Sequence, residues 1–388
     1  MNDITHPLLE AVQTLAPQLK EKAAEHESQR HVDEGVIREL AELGCFRMLV
    51  PKEYGGGQVE PSVFASILET LGRYDAATGW CVMTGATTSM LSAYMPPDGA
   101  KKLWQEQPNV VMAGIFAPMG KAVAVEGGYR LQGRWPFASG VDNATWRMGG
   151  ALVMEDGKPR MGEDGAPIIH SMFFPAGESD VIDTWSVSGL CGTGSHDIAV
   201  DDIFVPEELT TALIGATPKV DGALYTFPVF GLLASGVSAV ALGIGRAAID
   251  ELCSLSKKKR NPVTRRSLSE QSITQLQIAQ AEALLQSAKL YLMDTLKQVY
   301  ARAKGGAEMS LQDRALVRMA ASHAVSSAAS VVDDMYKLGG GTSIYKRNPL
   351  QRHFRDVHTI TQHIMVSDQS MTASGKVLLG LKVNASQL

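Results

Sequence analysis

The chain has 388 residues, enough for two or three domains and a substantial buried core. Hydrophobic residues make up 45% and charged residues 20%, and a net charge of -5 with a pI near 6.0 gives no broad electrostatic reason to bind nucleic acid or an anionic membrane. Four cysteines, Cys45, Cys81, Cys191 and Cys253, occur without a C-x-x-C pair, which fits small buried hydrophobes in a reducing compartment better than disulfides or a metal site.

The opening "MNDITHPLLEAVQ" has no basic region followed by an apolar one, so no secretory leader is expected and the protein is read as cytoplasmic. Residues 1–108 are predicted helical. "HPLLEAVQTLAPQLKEKAAEHESQR" and "DEGVIRELAELGCFRML" place apolar residues three and four apart, and Gly44 marks a stop. "EPSVFASILETLGRYDAATGWCVMTGATTSMLSAYM" supplies further helix interrupted by glycine.

Across residues 109–217 the texture turns to short β-rich segments: "VVMAGIFAP", "KAVAVEGGYRLQGRWPF", "WRMGGALVM", "PIIHSMFFP" and "HDIAVDDIFVP". The "GG" in "VAVEGGYRLQG" signals a hairpin, and strands at this spacing predict a small barrel or sandwich.

From 218 to 388 the helical period returns. "VFGLLASGVSAVALGIG" is rich in Gly, Ala and Ser and falls short of the about 20 residues of a membrane span, so it reads as a packed internal helix. Two long helices follow, and the last stretch is helical after Pro349, which together predict a bundle. The expected fold class is therefore mainly α with a middle β domain. "GIGRAA", Gly243 to Ala248, fits a dinucleotide fingerprint, but it continues a helix instead of following a strand. Close helix packing explains it, and the chain has no evident NAD(P)H domain.

"LQGRWPFASG", Leu131 to Gly140, puts a hydroxyl on a cramped turn directly after a strand-like segment. Ser and Gly make turns cheaply; the alternative is that something large and flat packs there and needs a short polar contact. "GTGSHD", Gly192 to Asp197, is either a glycine turn or a loop whose N–H groups meet a ligand. "KKKRNPVTRR", with Lys258, Lys259, Arg260 and Arg265, is either a solvated charge run or an anion site.

Four stretches in order, "LVPKEYGGG", "GGYRLQGRWPFASG", "SGLCGTGSHDIAVDDIFVP" and "QRHFRDVHTITQH", resemble the acyl-CoA dehydrogenase superfamily along nearly the whole chain. The second and fourth favour its branch of two-component flavin-dependent monooxygenases, which includes the oxygenase component of 4-hydroxyphenylacetate hydroxylase and the dibenzothiophene monooxygenase. The resemblance implies an N-terminal helical domain, a β-barrel or sandwich and a C-terminal four-helix bundle. It also implies a homotetramer with flavin between bundle and β domain, touching a neighbouring subunit.

For activity, the resemblance implies an oxygenase component that receives reduced flavin, FADH2 or FMNH2, from a separate NAD(P)H:flavin reductase. O2 is the co-substrate, and a C4a-hydroperoxide hydroxylates an aromatic or heteroaromatic small molecule. Carried over by motif, Ser139 sits beside flavin N5 and His363 faces the peroxide. Phe137, Ala138, Trp185, Thr193, Gly194, Ser195, Arg260 and Arg352 complete the cofactor set, with Arg260 toward the pyrophosphate of an adjacent subunit. Substrate candidates are Trp80, Thr88, Gly114, Phe116, Phe227 and Phe230, with Tyr225 beside them. The phenol hydroxylases of this branch carry a histidine eight residues after the tryptophan; Thr88 stands there and argues against phenolate binding.

The dehydrogenases that the chain resembles commonly place their glutamate base eight residues after the aspartate of an "RDA" motif, and some carry it on an earlier bundle helix. Counting from Asp356 reaches Ile364, with His363 just before it. Asp250 and Glu251 on an earlier helix are the remaining acids for an FAD-dependent acyl-CoA dehydrogenase. A non-catalytic binding protein on the same scaffold would have lost the small turn and the flavin loops.

Overall fold

A computed structural model describes residues 4–163, 165–212, 216–263, 265–384 and 388. Helix α1 (Pro7–Gln29) starts with proline at its first position, where no N–H is needed, and ends at Arg30 in the left-handed region. Helix α2 (Glu34–Glu42) is capped by Asp33, whose carboxylate accepts from Val36 N at 3.1 Å. Helices α3 (Pro61–Tyr74) and α4 (Ala76–Ser89) meet at Asp75, the N-cap of α4, and the short α5 (Pro97–Ala100) closes the N-terminal part.

Eight strands follow: β1 (Met112–Val125), β2 (Gly128–Ala138), β3 (Trp146–Glu155), β4 (Lys158–Pro159), β5 (Ile169–Pro175), β6 (Asp180–Ile182), β7 (His196–Pro206) and β8 (Thr210–Ala212). They form one sheet in the order β6-β7-β2-β1-β3-β5-β8, with β4 on β3; the β1–β3 pair is parallel and the rest antiparallel. A single mixed sheet thus stands where strand spacing alone leaves barrel and sandwich open. The β1–β2 hairpin turns at Glu126-Gly127, with Gly127 at φ +78°. The Trp135 indole lies over strand glycines: a Cβ at Gly120, Gly133 or Gly149 would come within 2.4, 2.8 or 2.5 Å of the ring, and its N–H donates to Gly150 O at 2.7 Å.

The C-terminal part begins with a short α6 (Ala223–Thr226) and then α7 (Val229–Lys258), α8 (Ser272–Lys304), α9 (Leu311–Gly339), α10 (Pro349–Thr361) and α11 (Asp368–Leu378). A capping box between Ser310 and Asp313 starts α9, and Asn348 caps α10. The Gly/Ala/Ser-rich stretch "VFGLLASGVSAVALGIG" of α7 is almost entirely buried, as its composition predicts. Its "GIGRAA" stretch is helix throughout. A Cβ on Gly243 would fall 2.3 Å from Glu69 O, so glycine there lets α3 and α7 touch backbone to backbone. One hydrophobic core runs unbroken from Leu9 to Val366 through all three parts. It fixes the bundle against the sheet, and the site lies at that join.

Candidate active site

The "FASG" turn is built by a register shift. Between Trp135↔Ile198 and Ala138↔His196, β2 uses one more residue than β7. Phe137 takes up the difference at φ +66°, a conformation that costs a bulky non-glycine residue, and its ring is left 67% exposed. The bulge turns Ser139 inward, where it is buried, while the Phe137 ring stands edge-on to Trp185 at 6.1 Å between centroids. Ala138 is fully buried beneath them.

Ser139 Oγ is the end of a chain of hydroxyls. It lies 2.7 Å from Ser195 Oγ, which lies 2.6 Å from Thr193 Oγ1, and Thr193 donates its proton to Leu190 O at 2.8 Å. A hydroxyl has one proton to give. With Thr193's proton committed to a carbonyl, Ser195 donates to Thr193 and Ser139 donates to Ser195. The Trp80 indole N–H then donates to Ser139 Oγ at 3.0 Å. Ser139 is left with no proton to offer and one lone pair uncommitted. It is an acceptor for an N–H.

This relay is held from below. Leu190, itself left-handed at φ +52°, gathers donors from Thr193 and from Trp185 Nε1 (3.1 Å) on its carbonyl, and its N–H donates to Asp356 Oδ1 at 2.6 Å. Asp356 is on α10, so a bundle carboxyl anchors the β-domain loop. Burial pushes its pKa up to about 7 against the opposing pull of the Leu190 N–H and of Arg352 and Arg355. Gly194, at φ +50°, would place a Cβ 2.5 Å from Asp142 Oδ2. His196 Nδ1 accepts from Thr184 N and Trp185 N, both at 3.2 Å, and so sets the backbone that carries Trp185.

His363 is placed differently from expectation. Helix α10 ends at Thr361, and His363 caps the following single turn, Ile364–Val366, with Nδ1 accepting from Met365 N at 3.3 Å. Its neutral ring therefore carries the proton on Nε2. Burial first, and the nearby Arg318 cation second, hold its pKa down at about 4. The ring packs edge-on against Trp80, 5.4 Å between centroids. Trp80 thus touches both predicted catalytic residues: its N–H holds Ser139 and its ring meets that of His363. The alternative, His358, lies on α10 paired with Asp333 at 2.9 Å and tilted against Phe354.

The other predicted residues divide. Thr88, two turns after Trp80 on α4, gives its hydroxyl to Thr84 O at 2.8 Å and packs against Gly114, where a Cβ would come within 2.4 Å of Thr88 Oγ1. Phe116 is partly buried on β1. Phe230 opens α7 and its carbonyl meets Arg318 at 3.5 Å. Phe227 is core, edge-on to Tyr300 of α8, and Tyr225 donates to Leu49 O. Arg352 sits beneath the relay near Glu27, 3.8 Å away. Arg260 is one residue beyond the α7 C-cap and donates to Arg265 O. At 1.5 Å per residue it is roughly 40 Å along α7 from Phe230, so within one chain it is remote from Ser139's neighbours.

The donor set suits a flavin. Phe137 offers an exposed aromatic ring with the buried Trp185 edge-on to it, small residues lie beside them, and Ser139 presents an acceptor. Reduced flavin carries an N–H at N5; oxidised flavin does not. Ile364, at the dehydrogenase base position, is apolar and 65% exposed, and Asp250 is tied to Arg73 and Arg246 at 2.6 and 3.1 Å.

Family models for the N-terminal and C-terminal domains of acyl-CoA dehydrogenase match residues 7–102 and 235–368. An indole-3-acetate monooxygenase of Acinetobacter baumannii is 31% identical over 95% of this chain and 93% of its own length. The chain belongs to the acyl-CoA dehydrogenase superfamily, in its flavin-dependent monooxygenase branch. Within that family, the oxygenase component of an FADH2-dependent resorcinol hydroxylase from a Rhizobium species is 29% identical over 98% of this chain and 99% of its own. The crystal structure of 3-HSA hydroxylase from Rhodococcus sp. RHA1 superposes with a TM-score of 0.88 at 26% identity, covering 99% of this chain and 100% of that one.

The sequence pointed to Ser139, Thr193, Ser195, Trp80 and His363, and the structure gathers them. It did not point to Leu190 or Arg318, and it used Asp356 only as a counting mark. A left-handed leucine has no sequence signal, and Asp356 meets Leu190 across 166 positions.

Proposed function

We propose that the protein is the oxygenase component of a two-component monooxygenase that hydroxylates an aromatic or heteroaromatic small molecule. Reduced flavin, delivered by a separate NAD(P)H-dependent reductase, supplies the electrons that activate O2 when bound. The direction of the hydroxyl relay carries this reading. It makes Ser139 an acceptor, matched to the N5–H that only reduced flavin offers, so the chain is built to take flavin already reduced.

Each neighbouring residue then has a part. Thr193 and Ser195 hold the Ser139 proton away from the cofactor, and Asp356 fixes Leu190 so that this orientation persists. Phe137 and Trp185 flank the flat ring and keep water from it. His363, neutral above about pH 5, offers an Nε2–H on the other side of Trp80, where it donates to a developing oxygen charge. The relatives' names, which include indole-3-acetate and resorcinol, support an aromatic substrate.

Homotetramer formation belongs to the same proposal. Apolar side chains stay exposed along α8, at Ile273, Leu276, Leu290 and Tyr291, which supports a second copy covering them. Arg260, remote within its own chain, is then free to serve a neighbour's flavin phosphates. Four free cysteines support a cytoplasmic home.

The test couples the protein to a purified flavin reductase, NADH and 18O2 with a panel of aromatic compounds. A hydroxylated product carrying one 18O supports the proposal. H2O2 as the sole product with every compound, together with acyl-CoA-dependent bleaching of bound FAD, selects the dehydrogenase instead.

A further inference from the structure

Beside His363 sits a buried cation with no anion paired to it among the described residues. Arg318, in the first half of α9, is 4% exposed. Its guanidinium reaches Phe230 O at 3.5 Å, the Met365 thioether at 3.2 Å and the Ser370 hydroxyl. Nε finds no partner, and no carboxylate pairs with the group among the described residues. Desolvation alone pulls its pKa down, to about 10, so it stays charged at neutral pH.

A guanidinium has five N–H donors in a flat fork. Here three contacts are made: one long carbonyl bond, one to a thioether (a weak acceptor), and one to a hydroxyl. Arg147, also buried and with its own Nε unpartnered, shows how the fold satisfies the terminal nitrogens of such a group when its role is internal. It donates to Ala176 O, Ser179 O and Ser179 Oγ at 3.0, 2.9 and 2.7 Å, and to Val141 O at 3.4 Å, within the field of Asp142. Burying a charge without comparable compensation is costly unless something arrives to complete it.

The surroundings of Arg318 belong to the site. Met365 is two residues from His363 on the same turn, and Phe230 is a substrate candidate. The Ser370 hydroxyl also lies 3.4 Å from both Ile364 O and Met365 O and gives its one proton toward that pair, so the cation backs the turn that presents His363. Thr88, eight residues after Trp80, has spent its hydroxyl on its own helix and offers no charge.

We propose that Arg318 anchors an anionic group on the substrate, making this an oxygenase for aromatic acids whose carboxylate completes the guanidinium fork behind His363. The inference rests on the oxygenase reading for its chemistry, but its binding consequence is separate.

The test is isothermal titration of the full chain under nitrogen, with reduced flavin present and absent. Two acid and amide pairs serve as probes: indole-3-acetate with indole-3-acetamide, and 4-hydroxyphenylacetate with 4-hydroxyphenylacetamide. At least one acid is expected to bind about ten- to a hundred-fold more tightly than its amide, the range for a hydrogen bond to a charged group. Arg318→Met should abolish that preference and Arg318→Lys should keep part of it. In turnover, Arg318→Met should raise KM for the acid more than it lowers kcat. Equal binding of acids and amides by the unaltered protein overturns the proposal, and that comparison needs no variant to fold. So does an Arg318→Met protein that keeps the acid preference and is merely less stable, because the arginine then only braces the turn. Acid preference without any hydroxylation leaves Arg318 assigned and refutes the oxygenase reading instead.

Discussion

Removing the Ser139 hydroxyl separates the structural and cofactor roles of the relay. In Ser139→Ala the Trp80 N–H loses its acceptor in a buried setting, while Ser195 still donates to Thr193. An orphaned buried donor costs about 1–3 kcal/mol. With an unfolding entropy of about 2.1 cal/mol/K per residue, that is a fall in Tm of ~1–4 °C for a chain of this length. Trp80→Phe in the same background removes the donor as well. Scanning calorimetry of both singles and the double variant should show the pair coupled, with the double less destabilised than the sum. The cofactor effect is read separately, from dissociation constants for reduced and oxidised FMN and FAD. Loss of one hydrogen bond from N5–H should narrow the preference for reduced flavin roughly 2- to 12-fold, with more O2 lost as H2O2. A variant with unchanged Tm and an unchanged ratio would refute the assigned direction of the relay.

Other expectations follow from neighbouring groups. Asp356, with its pKa raised to about 7, holds a proton in the folded chain between about pH 4 and 7 that the unfolded chain releases, so its contribution to stability falls as pH rises through that window. Asp356→Asn keeps an acceptor for Leu190 N–H and should flatten that part of the Tm profile between about pH 4 and 7. His363 acts with the opposite sign. Its folded pKa of about 4 lies below the ordinary 6.5, so its contribution is complete above about pH 6.5 and is lost as pH falls toward 4. Product yield should show no step near pH 6.5 arising from His363, and His363→Ala should reduce product far more than flavin binding. Trp135→Ala empties the glycine-lined space in the sheet and should destabilise by about 3–5 kcal/mol, read by calorimetry.

Much of the fold is legible because the apolar period changes along the chain. The switch from a spacing of three and four to short β segments near residue 109, and back after 218, tracks physical burial on helix and strand faces. The hairpin at Glu126-Gly127 is legible because glycine accepts a positive φ there. Strand order is not, since alternation fixes which face is buried and says nothing of which strand lies alongside; the parallel β1–β3 pair needed the structure. In the site, small residues in "FASG" and "GTGS" advertise close approach. The bulge at Phe137 stays hidden, because it exists only relative to β7. The end of α10 before His363 carries no glycine or proline, so a continued helix was the natural reading. Arg318 sits in an amphipathic helix where arginine is ordinarily solvated, and only its burial reveals it.

The most direct measurement is stopped-flow absorbance of the protein carrying anaerobically reduced FMN or FAD, mixed with oxygenated buffer and no substrate. Oxidised-flavin absorbance is expected to return much more slowly than for free flavin, because Ser139, Trp185 and His363 shield the reduced cofactor's oxygen chemistry. Return at the free-flavin rate, with both flavins, would contradict it.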